Sequence, residues 1–554
     1  MIKHIRNTLK SLLFFPTLIW INSCKNVDNS KFSNYFFYNE DQNITTLDPA
    51  FVKNQSEIWA VSQLFEGLVE YDDSLHIQPR LARYWEISDS GRSYTFHLRN
   101  DVYFHSLGVL KNEKRKMRAQ DVVYSFKRIA DPKTASPGAW IFNDKFDLRC
   151  FDSPGEFAFP VKAVNDSTVS IQLLQPFSPF LGLLTMPYCF ILPHEAVGQE
   201  FRNHPVGTGP FMFRKWEEDV AVLYARNPDY YMVKDNVRLP YLDGVLIENI
   251  RNRQTAFMKF VQGEFDFYNG IDASIKDELL TRSGELKDKY KDRFDLKKSP
   301  WMNTEYIGVN IDPKFDRHPL NNLQVRKAIN FAIDREKMIS FLRNGVGTPA
   351  RYGFVPVGIP GYPYETLDDV QYNMDSAIHY MKMSGLKSPH ESIILNTTSE
   401  YLELMVFIQK ALQNIGLEIK IEVHPSSFLR QLRKDQKINF FRGSWIADYP
   451  DPENYLVCFE SRNFSPGGSN YTHYSDPEFD RLLKESNRTV DEARRMQLMA
   501  EAEKKMMQSV PCIILYYDQS IRMTQKWTRN LHSNPINFLR LREVKKERGV
   551  KSEE

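Results

Sequence analysis

Residues 392–445 read SIILNTTSEYLELMVFIQKALQNIGLEIKIEVHPSSFLRQLRKDQKINFFRGSW, and this stretch decides the fold. SIILN is a short apolar strand. YLELMVFIQKALQNIG has helical periodicity and is closed by Gly416. IKIEV returns to period two through Ile419, Ile421 and Val423. SSFLRQLRK is a short helix, and INFFRGSW is strand again. Strand and helix alternating in this way predict βαβ units and an α/β fold, whose ligands favour the carboxyl ends of strands. At one such end the chain continues as WIADYPDPENYL and breaks into a Pro-rich turn. Arg442, Trp445 and Asp448 recur there every third residue, at the edge of an apolar core. Taken alone, the three could cap the strand and pair with one another, or they could face a ligand.

The chain has 554 residues, more than one hydrophobic core usually serves, so two or three domains are expected. Hydrophobic residues make up 42% and charged residues 26%, the balance of a soluble globular protein rather than a disordered one. Lys and Arg total 72 against 70 Asp and Glu. With no basic excess, nucleic acid is not an expected partner.

MIKHIRNTLK places Lys3, Arg6 and Lys10 ahead of the apolar run SLLFFPTLIWI, the layout of a signal peptide. The run is shorter than the roughly 20 residues that cross a bilayer. It ends at Ile21-Asn22-Ser23-Cys24, where a small residue before cysteine resembles the lipobox of bacterial lipoproteins. Residues 1–24 are therefore expected to be a lipoprotein signal, with Cys24 lipidated and the exported protein tethered in the cell envelope, facing the periplasm or the cell exterior. Asn22 is unusual inside that box, and a plain cleaved signal with an incidental cysteine is the alternative. Lys25 follows in place of the aspartate that commonly retains lipoproteins at the inner membrane, so the choice of membrane stays open. Cys150, Cys189, Cys458 and Cys512 are widely spread with no CxxC pair and read as core thiols, although export permits a disulfide.

Elsewhere, Ile58, Val61, Leu64, Phe65 and Leu68 make one helical stripe over 56–70. Tyr94, Phe96 and Leu98 alternate as a strand, as do Val169, Ile171 and Leu173. Asp121 is expected to N-cap the helix DVVYSFKRI. HPVGTGPFMFRKW (204–216) predicts a turn in conformations open only to glycine, serving as a reversal or interdomain crossing; it lacks the lysine and following helix of a phosphate loop. Val325, Ile329, Ala332 and Ile333 stripe a helix in LQVRKAINFAIDREKMI. PVGIPGYPYETLDD (356–369) is the most linker-like segment.

The segments TLDPAF, QLFEGLVEYD, LARYWEISDSGRSYTFHLRNDVYF, RAQDVVYSFKRIADPKTASP, VGTGPF, VRKAINFAIDREKMI, WIADYPDPENYL and NYTHYSDPEFDRLL, collinear from Thr46 to Leu483, together resemble the family-5 extracellular solute-binding proteins, which include the oligopeptide- and dipeptide-binding proteins of ABC importers. The resemblance implies a periplasmic-binding-protein-like two-lobe fold (type II, cluster C) with an extra inserted domain and an interlobe cleft. Its implied boundaries are lobe I over 25–70, 201–300 and 516–554, the inserted domain over 71–200, and lobe II over 301–515. It implies a monomer that takes a short peptide to an ABC permease, with no catalysis, cofactor or metal.

In peptide binders of this family the aspartate matching Asp448 pairs with the peptide's α-amino group, and the residues matching Arg442 and Trp445 line the same cleft. A carboxylate enclosed by a closing cleft is desolvated unless it meets a cation. Trp445 offers a flat wall with one N–H, and Arg442 can fork onto a ligand carboxylate. Some relatives carry an aromatic residue after ASP, where this chain has Gly138, with Trp140 as a substitute. A position acidic in some oligopeptide binders is Lys53 here, and 106–118 reads as a solvated basic insertion. Family members that carry nickel complexes, haem or sugars leave a non-peptide solute as an alternative. Outside the family, a secreted hydrolase and a surface protein with an empty cleft stay open, although the twelve histidines form no zinc motif and no GxSxG elbow occurs.

Overall fold

The computed structural model describes residues 32–106, 114–198, 200–271, 273–386 and 392–547. The signal segment and Cys24 lie outside them. Among the described residues no helix is long and apolar enough to cross a membrane.

One eleven-stranded sheet runs through the molecule. Its strands are β1 (Tyr35–Glu40), β2 (Phe211–Glu217), β3 (Ala221–Arg226), β4 (Gly244–Asn249), β5 (Phe267–Asn269), β6 (Phe294–Val309), β7 (Thr348–Pro349), β8 (Ile393–Thr397), β9 (Ile419–Val423), β10 (Phe440–Ile446) and β11 (Cys512–Gln525). They lie in the order β9-β8-β10-β6-β11-β5-β1-β4-β3-β2, with β7 on β11. The alternation over 392–445 forms as its periods require. β8 and β9 pair in parallel from Ile393↔Ile419 to Thr397↔Val423, and the helix Leu402–Gln413 crosses between them. Gly416 takes a φ of +81°, the left-handed position that ends the helix.

β6 and β11 have 16 and 14 residues, against about five or six for an ordinary strand. β6 pairs with β10 over 303–309, while the far end of β11 pairs with β5. The two strands therefore carry the chain from one half of the sheet to the other. Their ladder runs from Phe294↔Gln525 to Pro300↔Gln519, slips, and resumes at Thr304↔Tyr517. A slip of this kind loosens the pairing and lets the ribbon bend.

Each region has its own core. Ile307, Ile329, Ile393, Ile408 and Ile419 pack on one side of the slip. Phe36, Tyr38, Trp59, Phe211 and Tyr224 pack on the other. Phe96, Phe126, Phe142, Val169 and Phe180 form a third core under a four-stranded antiparallel sheet of Ala82–Ser88, Ser93–Leu98, Thr168–Gln172 and Val161–Asn165. The chain leaves for this third region and returns at one carboxylate. Glu66 accepts hydrogen bonds from Arg80, from the hydroxyls of Tyr230 (2.8 Å) and Tyr231 (3.3 Å), and from Thr208 (3.2 Å). Hydrogen bonds to a charged group contribute about 1.5–3 kcal/mol each, so the junction is rigid.

Five expectations are corrected. The helix over 56–70 spans only Gln55–Ser62. The carbonyls of Gln63 and Leu64 accept from Phe211 (3.1 Å) and Gly209 (2.8 Å), and a helix cannot give them up. Leu64, Phe65 and Leu68 are still buried, but from a turn. Gly207 and Gly209 do not have left-handed φ; they are required because a Cβ at either would overlap the Leu64 carbonyl. Asp121 is the third helical residue rather than the cap: Arg118 caps, and Asp121 accepts from its N–H at 2.8 Å. Residues 356–369 are no linker. Ile359, Tyr362 and Leu367 are buried, and Glu503 accepts from the Val355 N–H (2.8 Å) and from the Tyr362 hydroxyl. The striped segment after Leu323 also divides, into helices Leu323–Ala332 and Arg335–Leu342, where Asp334 caps the second. Cys150, Cys189, Cys458 and Cys512 are free thiols, the last three buried.

Candidate functional site

Asp448 stands two residues beyond β10, on a turn braced from behind. Asp451 caps the short helix Pro452–Leu456 by accepting from the Glu453 N–H at 2.9 Å, and Arg495 grips the same carboxylate at 3.0 and 2.7 Å. The buried Asn454 reaches back along the turn. Its Oδ1 accepts from the indole N–H of Trp445 (3.3 Å) and from the Asp448 backbone N–H (3.2 Å). One amide thus fixes the tryptophan relative to the aspartate.

The Asp448 side chain is exposed. Its pKa is nonetheless raised, by burial first, with the Asn454 side chain opposing the rise. Water reaches the group from one side while neighbouring protein partly desolvates it from the others, and the exposed surface is what a ligand can touch. Among the described residues no Lys, Arg or His forms an ion pair with Asp448. The arginines of this neighbourhood are engaged by Glu305 and Asp451.

Arg442 departs from its expected role as an open fork. Its Nε and Nη2 both donate to Glu305 Oε2, at 3.0 and 2.5 Å, and its guanidinium lies 3.3 Å from the centre of the Tyr401 ring. Glu305 is only 1% exposed, and a carboxylate so deeply placed requires a cation of its own. Asn303 joins Glu305 (3.2 Å) to Asp518 (3.4 Å), and Asp518 accepts from Arg343 at 2.7 Å. These groups sit where the β6–β11 ladder slips. They form a charge-balanced network, and sequence reasoning missed all of them except Arg442. The only local signal was a polar NTE inside an otherwise strand-like segment.

Trp445 lies opposite Thr304 of β6, half-buried against the core that contains Tyr306 and Phe459. Trp140 is 36% exposed and makes no aromatic ring contact among the described residues. Tyr188 fills the space beside Gly138 instead. Its hydroxyl pKa is pushed up to about 12, by burial first and then by the charges of Asp448 and Glu57.

Two other places bring polar or metal-type groups together. A cavity of about 70 Å³ behind the Glu66 junction is lined by Tyr71, Thr185, Phe538 and Arg542 among others, but its charges are already paired, Arg80 with Glu66 and Arg542 with Glu70. Asp121, His194 and Glu195 bring metal-type donors within 4.8 Å of one another. Arg115 occupies them, at 2.6 Å from Asp121 and 2.9 Å from Glu195. Asp448 is thus the open, uncompensated charge among these places.

Residues 76–465 match the family model of the bacterial extracellular solute-binding proteins, family 5 (middle region). The dipeptide-binding protein of Escherichia coli is 25% identical over 498 residues, covering 85% of this chain and 87% of that protein. Heme-binding protein A of Haemophilus influenzae is 28% identical over 506 residues, covering 87% of each. The solved structure of the periplasmic binding protein DppA from Helicobacter pylori in complex with the peptide STSA is 26% identical, covers 93% of this chain and 98% of that one, and superposes with a TM-score of 0.72. With the family match spanning well over half its length, the chain belongs to the family-5 bacterial extracellular solute-binding proteins.

Proposed function

We propose that this protein captures short peptides in the cleft beside Asp448 and delivers them to an ABC permease, as a lipoprotein held at the membrane through Cys24. The observation that carries the reading is Asp448 itself: an open carboxylate, braced by Asn454, with no cation of its own. A peptide α-ammonium supplies the missing charge. The rest of an extended peptide would pair its backbone with strand edges in the cleft while its side chains occupy tolerant pockets. Closure follows because the ligand touches both halves only in the closed form, the differential affinity that shifts a population. No bond is broken in this cycle.

The domain limits expected from the family are part of the proposal, with the swing placed at the slip between Pro300 and Thr304. Native mass spectrometry of the purified protein tests the reading. Short peptides should be ejected from it, and added di- to pentapeptides should raise its melting temperature. Recovery of a haem, a metal chelate or a sugar would assign the cleft to a non-peptide solute.

A further inference from the structure

Residues 175–182 of the inserted domain, QPFSPFLG, form a stiff prong. Pro176 and Pro179 fix their own φ angles, and the fully buried Phe180 anchors the prong in the core that contains Phe126 and Phe142. The prong lies against the half that carries 392–446. Its Ser178 N–H and hydroxyl donate to the carbonyls of Asn487 (3.0 Å) and Thr489 (2.6 Å), at the carboxyl end of the helix Pro477–Arg488. Carbonyls at such an end have no partner within their own helix. Arg488, between them, donates to the Gln175 side chain at 2.7 Å. Aromatic side chains also cross over. Tyr449, next to Asp448, is 4% exposed and packs in the core of the inserted domain, where a Cβ at Gly182 would stand 3.7 Å from its ring. Tyr71 and Leu75, at the start of that domain, are buried in the opposite core with Tyr306 and Phe459.

We infer that the inserted domain is a latch: its prong and the pocket for Tyr449 hold the two halves together through protein groups alone, whatever solute lies between them. The inference rests on the reading of capture by closure and gives the inserted domain its part in it; the solute need not be a peptide. The Glu66 junction makes the inserted domain move with the half that contains Trp59. The seam therefore spans the gap that opens when the ribbon bends at its slip. On opening, water replaces Ser178 at the helix carbonyls, and the Tyr449 ring loses an apolar pocket. Both changes favour the closed form by an amount that does not depend on the cargo. Because the seam forms only once the solute is inside, it slows release and leaves entry alone.

The test is stopped-flow kinetics of trialanine and trileucine on wild type and on the double variant Gln175→Ala/Ser178→Ala, which touches neither Asp448 nor Trp445. The variant loses two hydrogen bonds across the seam, so release should quicken by roughly five- to thirtyfold. The factor should be the same for both peptides, with the association rate unchanged. A gain-of-function arm does not depend on that variant folding well: Ser178→Cys with Thr489→Cys, oxidised in the presence of trialanine, should form a disulfide and retain the peptide through gel filtration until reductant is added. Faster release of only one peptide would make the prong part of a side-chain pocket and overturn the latch. Unchanged release rates, or cysteines that do not crosslink, would overturn it as well and leave the peptide reading standing. A wild-type protein without affinity for either peptide would overturn the peptide reading, whereas crosslinking of the two cysteines in that protein would still support the latch.

Discussion

Replacing Asp448 by asparagine keeps the shape of the side chain and removes its charge, and the structure sets the size of the effect. An ammonium about 4 Å from the carboxylate gains about 4 kcal/mol at an effective dielectric of about 20. The amide carbonyl of the variant still accepts a hydrogen bond, worth about 1 kcal/mol. The difference is about 3 kcal/mol, or roughly 150-fold in Kd. The unliganded protein should lose nothing. Asp448 has no cation partner, and burial holds its folded pKa above the unfolded one. The charged form therefore weighs against folding as pH rises past the ordinary carboxylate range, and removing it leaves the melting temperature at pH 7 unchanged or raised. Titration with a free and an N-acetylated tripeptide isolates the effect: the acetylated ligand should bind wild type and Asp448→Asn equally weakly. The reasoning fails if Asp448→Asn loses as much affinity for the acetylated peptide as for the free one. It fails as well if the unliganded variant melts several degrees lower, for then Asp448 serves the fold.

Arg442→Met should act on stability. It strands Glu305, and losing one partner of a buried pair costs about 3–5 kcal/mol by chemical denaturation; unchanged stability with weaker binding only of peptides that carry a free carboxyl terminus would return Arg442 to the ligand. Burial pushes Glu503 up to about 7 and Glu40 up to about 8, both above their unfolded values. The folded state keeps protons that the unfolded state has released, so this stability is full at low pH, falls as pH rises from the ordinary carboxylate range, and is gone above the folded values of about 7 and about 8. Glu503→Gln should therefore lose less stability than wild type between about pH 5 and about pH 7, and parallel denaturation curves would contradict the assignment. Cys24→Ala should move the protein from the membrane fraction to the soluble one; continued retention would contradict lipidation.

Much of the half containing 392–446 was legible because each element there is stabilised by its own period. IKIEV alternates and forms a strand, and YLELMVFIQKALQ forms a helix, whichever neighbours they meet. The stripe over 56–70 misled because burial has two causes: Ala60 and Val61 are buried by a helix, whereas Leu64 and Phe65 are buried by a turn in which the Gln63 and Leu64 carbonyls serve the returning chain at 209–211. Residues 356–369 look like a linker because Pro and Gly dominate them. Their anchor, Glu503, lies about 140 residues away and leaves no local trace. At the site, Asp448 and Trp445 could be placed by spacing beside a strand end. The engagement of Arg442 could not, because Glu305 faces it from another strand, and neither could the filling of Gly138's space by Tyr188.

The paired β6–β11 ribbon also limits how the molecule can report on its cargo. Hydrogen-bonded register on both sides of the slip forbids sliding, which leaves rotation about one short axis. In the proposed closure, occupancy would be converted into an angle, as on a protractor. Dyes at the exposed positions Val220, in the β2–β3 turn, and Phe428, in the helix that follows β9, at the two ends of the strand order, would read that angle as a separation and make the protein a gauge of solute concentration.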